Sequence, residues 1–232
     1  MKLTCKYEDL GKIDYQKAWD YQNKLVELLT QQKLANWHHN AQYKLENTLI
    51  FCEHNHVYTL GKSGKADNLL LNDNQLAELQ AQFYKIDRGG DITYHGAGQL
   101  VGYPIFDLEQ MKPDLSWYVY SLEEVIIRTL SRLGIKSERL AGATGVWLDA
   151  NNSNARKICA IGVKNSRWIT KHGFAFNINT DISYFQHIVP CGIADKAVTS
   201  LHLELGKIQD FDAIKNMLKE EFEHIFNVEL VA

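Results

Sequence analysis

Apolar residues recur every three or four positions in three long segments, the spacing that places them on one face of an α-helix. The first segment runs from about Tyr15 to Lys33, and the second follows Pro113, with Asp114 placed to cap the helix. The apolar face of the second comprises Leu115, Tyr118, Leu122, Val125, Ile126, Thr129 and Leu133. That of the third comprises Phe211, Ile214, Leu218, Phe222 and Ile225. The pattern therefore predicts three long helices.

Between these segments lie short runs rich in β-branched and aromatic residues, which are typical of strands. These runs are 47–54, 83–89, 100–108, 145–149, 157–164 and 172–180. The polar stretch 149–156, with the sequence DANNSNAR, has the composition of a surface connection between two of them. Because strands cluster in the middle without regular alternation with helices, the sequence predicts an α+β fold with a mainly antiparallel or mixed β-sheet and flanking helices. We expect one domain over residues 1–232.

Composition and charge narrow the functional classes. The 232 residues are 45% hydrophobic, with a formal net charge of −3 and a pI near 6.3, which argues against a nucleic-acid-binding domain. No run approaches the roughly 18 apolar residues of a membrane span, and the first residues lack the apolar core of a secretory signal. Four cysteines without a CxxC pair fit reduced thiols, so we expect a cytoplasmic protein.

One of these cysteines has an unusual frame, in the segment VPCGIADKAVTSL. Pro190 fixes its own φ, and Gly192 permits backbone angles that other residues avoid. A cysteine in a hydrophobic core needs no such frame, whereas one held at a bend for a substrate does. Cys191 is therefore a candidate nucleophile. An ordinary thiol is only a few per cent thiolate at neutral pH, so it would need an activating partner.

A second informative stretch is DRGGDITYHGAGQLVGYPI, residues 87–105. Its glycines allow the backbone to approach a ligand closely and leave N–H groups free to point at it. The spacing matches neither GxxxxGK[ST] nor GxGxxG, so a nucleotide loop is not indicated. A structural glycine-rich hairpin is the alternative. The polar side chains of Arg88, His95 and Gln99 between the glycines favour a functional loop.

The run RGGDITYHGAGQLVGYP resembles the signature of the lipoyl(octanoyl) transferases, in which Arg-Gly-Gly precedes Thr, an aromatic residue, His and Gly-x-Gly-Gln. KICAIGVK with HGFAFNIN, and PCG with VTSL, agree in order and spacing, so the resemblance covers about residues 50–205. Ala97 stands where many members have proline, which affects loop stiffness and leaves the chemistry intact. The resemblance implies a fold shared with lipoate ligases and biotin protein ligases, with a mixed sheet around an acyl pocket.

The resemblance also implies a reaction. An octanoyl group leaves the phosphopantetheine thiol of an acyl carrier protein, rests on Cys191 and passes to a lysine ε-amine. The implied acceptors are lipoyl domains of 2-oxoacid dehydrogenase subunits and the glycine cleavage H protein. The family pattern places Lys157 opposite the cysteine, either as an ammonium that stabilises the thiolate or as a neutral amine that removes the thiol proton. Because the donor arrives activated, no ATP, other cofactor or metal is expected.

The acyl site implied by the resemblance has three segments. It comprises Arg88, Gly89, Gly90, Asp91, Ile92, Thr93, Tyr94, His95, Ala160, Ile161, Gly162, Gly173, Phe174 and Ala175. His95 could orient the acyl carbonyl or carry a proton, and Arg88 would shape the pocket wall. Backbone N–H groups near Gly162 and Cys191 are candidate donors to the developing oxyanion.

The remaining cysteines and histidines have simpler interpretations. Cys5 and Cys52 are expected in the core or at a sheet edge. Cys159, two residues after Lys157, could lie near the acyl site but is better read as a small buried hydrophobe. Glu53, His54 and His56 could suggest a metal site, yet their spacing is loose, and a polar turn is the better interpretation.

Acidic partners such as acyl carrier proteins and lipoyl domains are steered by basic patches. Candidates for a patch, as against ordinary solvated charge, are Lys62, Lys65, Arg88, Lys164, Arg167 and Lys171. The main functional alternative is an ATP-dependent lipoate–protein ligase on the same fold, which would need no nucleophilic cysteine. A non-catalytic acyl-binding protein and a cysteine hydrolase are further alternatives.

Overall fold

The computed structural model describes residues 2–189 and 197–232. The predicted nucleophile Cys191 and its neighbours Pro190 and Gly192 lie outside the described residues. The five α-helices of the described part are α1 (Tyr15–His39), α2 (Asp73–Glu78), α3 (Leu115–Arg132), α4 (Leu201–Leu205) and α5 (Phe211–Phe226). None of them is both long enough and apolar enough to cross a membrane.

The described residues contain twelve β-strands. They are β1 (Leu3–Lys12), β2 (Asn47–Glu53), β3 (Val57–Leu60), β4 (Gln82–Lys85), β5 (Ile92–His95), β6 (Gln99–Ile105), β7 (Glu138–Leu140), β8 (Ala143–Leu148), β9 (Arg156–Ser166), β10 (Ile169–Asn177), β11 (Ala197–Val198) and β12 (Val228–Val231). Residues 149–155 connect β8 to β9, which confirms the predicted surface connection.

The three predicted helices are confirmed as α1, α3 and α5. The side chain of Asp114 accepts a hydrogen bond from the backbone N–H of Trp117 at 3.0 Å, so it caps α3 as its position predicted. Helix α1 continues to His39, six residues beyond the predicted end. The apolar repeat fades after Lys33 because no residue in this last part of the helix is buried.

The larger sheet has the strand order β12-β1-β2-β6-β10-β9-β8-β7, with β11 against β9. Strand β1 pairs parallel with β2 and β12, whereas the path from β2 through β6, β10, β9 and β8 to β7 is antiparallel. A smaller sheet has the order β4-β3-β5. The mixed sheet with flanking helices confirms the predicted fold class.

Helices cover both faces of the larger sheet. Because side chains alternate along a strand, Leu49 and Phe51 of β2 enter the core that α3 and α5 cover, whereas Ile50 and Cys52 pack with residues of α1. Burial on both faces explains why β2 reads as a continuous apolar run rather than an alternating one. The core therefore holds β6, β9 and β10, the strands that carry most of the predicted site, between helical layers.

Candidate active site

The chain crosses from the smaller sheet to the larger one in the turn between β5 and β6. The N–H of Gln99 donates to the carbonyl of Gly96 at 3.2 Å. Gly98 has φ = +75°, in the left-handed region that favours glycine, and a Cβ at Gly96 would overlap the hydroxyl of Tyr94. This turn places His95 at the end of one sheet opposite Gln99 at the start of the other.

A cavity of about 350 Å³ lies beside this turn. Its lining includes most of the predicted set, namely Arg88, Gly90, Asp91, Ile92, Thr93, His95, Lys157, Ala160, Ile161, Gly162, Gly173, Phe174 and Ala175. Two predicted residues lie outside the lining. The N–H of Gly89 donates to the carbonyl of Val163 at 2.9 Å, and the hydroxyl of Tyr94 is 2.7 Å from Nδ1 of His56.

Sequence reasoning missed several residues that line the cavity. Prominent among them are Tyr15, Val101, Tyr103, Trp147, Asn177, Phe185 and Ile188. The aromatic and aliphatic members come from elements distant in sequence and look like ordinary core residues. Asn177 did carry a signal, because it is a polar residue that ends an apolar strand and is 3% exposed, so it needs a buried partner.

Lys157 lies near the start of β9 with its side chain in the cavity, and Nζ is 4.7 Å from the centre of the Trp147 ring. Within the described residues, Nζ has no hydrogen bond or ion pair. Burial lowers the pKa of Lys157 to about 8, and the positive charge of Arg88 adds to this effect. At neutral pH a larger fraction of this amine is therefore unprotonated than for an ordinary lysine.

The chain on both sides of residues 190–196 borders this cavity. On the near side, Ile188 lines it. On the far side, β11 runs parallel to the start of β9, pairing Ala197 with Arg156 and Val198 with Lys157. The N–H of Thr199 then donates to the carbonyl of Lys157 at 3.0 Å. The two ends of the segment that contains Cys191 are thus fixed at the cavity wall.

Arg88 is a buried cation, 8% exposed, in the lining of the same cavity. Its Nη2 donates to the carbonyl and to the hydroxyl of Thr59 at 2.7 and 3.1 Å, and its Nη1 donates to the carbonyl of Gly89 at 3.0 Å. A Cβ at Gly162 would lie 2.9 Å from Cδ of Arg88, so glycine leaves the space that this side chain fills. Burial is the main cause that lowers the pKa values of Lys157 and His95, and the positive charge of the guanidinium lowers both further.

His95 is neutral at physiological pH. Burial lowers its pKa to about 3, with further contributions from His54 and Arg88. Its ring stacks on Tyr15 with centroids 5.9 Å apart, and Nδ1 lies 2.8 Å from Oε1 of Gln99. A histidine held neutral in this way can donate from one nitrogen and accept at the other.

A charged cluster lies behind the cavity wall. Asp87 contacts Nζ of Lys164 at 2.6 Å, Nζ of Lys171 at 3.0 Å and Nε2 of His172 at 2.7 Å. Lys171 is 6% exposed and Arg88 is 8% exposed, so the predicted basic surface patch is wrong for these two residues. The Nζ atom of Lys171 contacts Asp87, and the guanidinium of Arg88 contacts Thr59.

Asp87→Asn is expected to destabilise the fold most above pH 5. The hydrogen bond from His172, with those from Lys164 and Lys171, lowers the pKa of Asp87 far below its ordinary value. A lowered carboxyl pKa stabilises the fold fully above the unfolded pKa of about 3.9, and this stabilisation is lost as the pH falls below it. Urea unfolding of wild type and Asp87→Asn from pH 7 to pH 3 measures the free energy of unfolding of each. The difference between the two free energies should become smaller below about pH 4. A difference independent of pH would contradict this assignment.

Cys5, Cys52 and Cys159 are buried thiols, at 0%, 1% and 0% exposure, which confirms their interpretation as core residues. Burial raises the pKa of Cys159 well above its ordinary value, so it is a poor nucleophile despite its proximity to Lys157. His54 is buried, with Nε2 2.8 Å from the hydroxyl of Tyr103, and its neighbour His56 stacks on Tyr184.

The comparisons with known proteins agree with this architecture. A family model for the lipoyl protein ligase A/B catalytic domain matches residues 14–223. An octanoyltransferase from Christiangramia forsetii is 49% identical over 231 residues, 99% of each chain. One from Parabacteroides distasonis is 54% identical over 224 residues, 96% of this chain and 99% of the relative.

Solved structures share the fold at much lower identity. A bipartite lipoate protein ligase from Thermoplasma acidophilum has a TM-score of 0.70 at 15% identity, covering 99% of this chain and 88% of the other. A biotin protein ligase from Aquifex aeolicus has a TM-score of 0.53 at 14% identity, covering 96% and 70%. The chain belongs to the lipoyl protein ligase A/B catalytic domain family and is an acyltransferase, as its glycine-rich signature predicted.

Proposed function

We propose that this protein is an octanoyltransferase that takes an octanoyl group from octanoyl-acyl carrier protein, holds it as a thioester on Cys191 and passes it to a lysine of a lipoyl domain. The general activity rests on curated octanoyltransferases that are about half identical over the whole chain. The observation that carries the mechanism is the cavity. It combines an apolar wall with Lys157, and both ends of the segment that contains Cys191 border it.

The cavity suits a medium-length acyl chain. Its volume of about 350 Å³ lies in the range of small-molecule sites, and Val101, Trp147 and Phe174 give it apolar walls. An octanoyl group has six methylenes, each contributing about 0.8 kcal/mol on burial, so the chain supplies roughly 5 kcal/mol of binding free energy. This binding energy holds the reacting carbonyl at the polar end of the cavity, near Lys157 and Arg88.

The first half-reaction forms the acyl-enzyme. The thiol of Cys191 gives its proton to the neutral amine of Lys157, and the thiolate attacks the donor carbonyl. The tetrahedral intermediate collapses by breaking the bond to the carrier sulfur, which takes the proton back from the Lys157 ammonium. Burial lowers the pKa of Lys157 to about 8, so its amine can act as a general base near neutral pH.

The second half-reaction transfers the acyl group to nitrogen. The neutral ε-amine of the acceptor lysine attacks the Cys191 thioester, and the Cys191 thiolate leaves as the C–N bond of the amide is completed. The proton lost from nitrogen ends on the Cys191 sulfur. Arg88, a cation in the cavity lining, supplies positive charge that favours the developing oxyanion. An amide is more stable than a thioester, so the sequence of steps runs forward without ATP.

The proposal is tested by supplying either of two acyl sources with a lipoyl domain as acceptor. Octanoyl-acyl carrier protein without ATP should octanoylate the domain, as intact-protein mass spectrometry would detect. Free octanoate should fail, with ATP or without it. Transfer only from octanoate with ATP would identify an ATP-dependent ligase, and transfer from neither source would leave an acyl-binding protein.

A further inference from the structure

A buried line of side-chain amides connects His95 to the strand beside Lys157. We propose that Gln99 and Asn177 are positioning residues, which fix the tautomer of His95 and hold the chain at Thr199 against Lys157. The inference rests on the proposed function for its consequence, although its geometry stands independently. Gln99 and Asn177 are 1% and 3% exposed, so each amide must find its partners inside the protein.

Two backbone carbonyls determine how the amides are oriented. The nitrogen Nε2 of Gln99 lies 3.2 Å from the carbonyl oxygen of Tyr94, and Nδ2 of Asn177 lies 3.0 Å from that of Thr199. A carbonyl oxygen only accepts, so the NH₂ groups must face these atoms. Nε2 of Gln99 also donates to Oδ1 of Asn177 at 2.9 Å. The orientation of both amides is therefore fixed.

This orientation fixes the proton on His95. With its NH₂ group committed, Gln99 presents only Oε1 to the ring, and Nδ1 of His95 donates to it at 2.8 Å. The neutral ring then carries a lone pair at Nε2, and its hydrogen-bond contact among the described residues, with the hydroxyl of Thr59, is long at 3.5 Å. In this tautomer His95, which lines the cavity, can accept a hydrogen bond from an N–H of the attacking lysine at Nε2 and has no free N–H to donate to the acyl carbonyl.

The other end of the line holds the chain that leads from Cys191. Nδ2 of Asn177 donates to the carbonyl oxygen of Thr199 at 3.0 Å, and the N–H of Thr199 donates to the carbonyl of Lys157 at 3.0 Å. The hydroxyl of Thr199 also donates to Glu204 at 2.6 Å. Residue 199 is held from three directions, eight positions beyond Cys191. The line therefore joins His95 through Gln99 and Asn177 to the backbone at Thr199, which is hydrogen-bonded to Lys157.

The tautomer is tested by NMR of protein with ¹⁵N-labelled histidine at pH 7. Wild type should show His95 protonated at Nδ1 and unprotonated at Nε2. Gln99→Met removes the acceptor, so the signature should shift toward the Nε2–H form. The matched control, Gln110→Met, lies outside the cavity lining and should resemble wild type. An unchanged Nδ1–H signature in folded Gln99→Met would overturn the assignment.

The clamp on Thr199 is tested by amide hydrogen exchange in Asn177→Leu. The Thr199 amide should exchange at least about tenfold faster, while amides of α5 stay unchanged. Formation of the acyl-enzyme should slow by up to about 100-fold, the scale of a misplacement near 1 Å. Unchanged exchange at Thr199 would refute the clamp. Because NMR and exchange need no turnover, failure of the thioester mechanism would appear separately, as an absent adduct with the tautomer and the clamp intact.

Discussion

Lys157→Met is expected to slow octanoyl transfer from the carrier protein to Cys191 by about 10²–10⁴-fold, the usual contribution of a positioned acid–base group. The side chain is of similar length and apolar, so it should remain in the cavity beside Trp147. Single-turnover mass spectrometry of the acyl-enzyme measures the rate directly. Lys136→Met, at an exposed position, is the control and should react like wild type.

Lys157→Arg separates the two roles that the sequence left open. Arginine keeps the positive charge but cannot release its proton at neutral pH. If Lys157 acts as a base, the arginine variant should be as slow as the methionine variant. If it acts only as a stabilising cation, the arginine variant should keep most of the rate. The pKa of about 8 favours the base, and equal rates for wild type and Lys157→Arg would contradict it.

Gly173→Ala is expected to lower the free energy of unfolding by about 3 kcal/mol and to abolish acyl transfer. Its Cβ would overlap the carbonyl oxygen of Gly102 and lie 2.8 Å from Cδ of Pro104, so the backbone of β6 and β10 would have to separate. In a chain of this length the loss corresponds to a fall of roughly 6–12 °C in Tm. Calorimetry and urea unfolding measure the change.

Gly89→Ala is the matched control, because it lies in the same predicted acyl site. The nearest atom to its Cβ would be the carbonyl oxygen of Val163 at 3.3 Å, which a small local shift relieves. We expect less than about 1 kcal/mol of destabilisation there. If Gly173→Ala and Gly89→Ala lowered the free energy of unfolding equally, the close backbone approach at Gly173 would not be what limits the packing of β6 against β10.

The helices and the mixed sheet could be predicted because their signals are local. Apolar spacing from Phe211 to Ile225 and the cap at Asp114 each depend on a few neighbouring residues. Strand β5 could not be predicted, because Ile92–His95 lies within a glycine-rich stretch with the composition of a loop. These residues form a strand by pairing with β3, and no local sequence pattern indicates that pairing.

The candidate site was likewise predictable from the sequence only in part. The motif resemblance pointed to Lys157 and to the segments around Arg88 and Gly162, which the fold brings to one cavity. The neutral state of His95 depends on burial and on Arg88, so it required three-dimensional structure. Likewise, Lys171 looked like a surface cation in sequence, although it is buried and paired with Asp87.

The central claim, a thioester on Cys191, is tested most directly by mass spectrometry of the enzyme mixed with octanoyl-loaded carrier protein, without ATP or acceptor. Wild type should gain one octanoyl group that maps to Cys191 and is removed by hydroxylamine. Cys191→Ser should gain no group that hydroxylamine removes. Cys5, Cys52 and Cys159 are buried and should stay unmodified. No adduct on wild type, while the lipoyl domain is still octanoylated when added, would contradict the covalent mechanism.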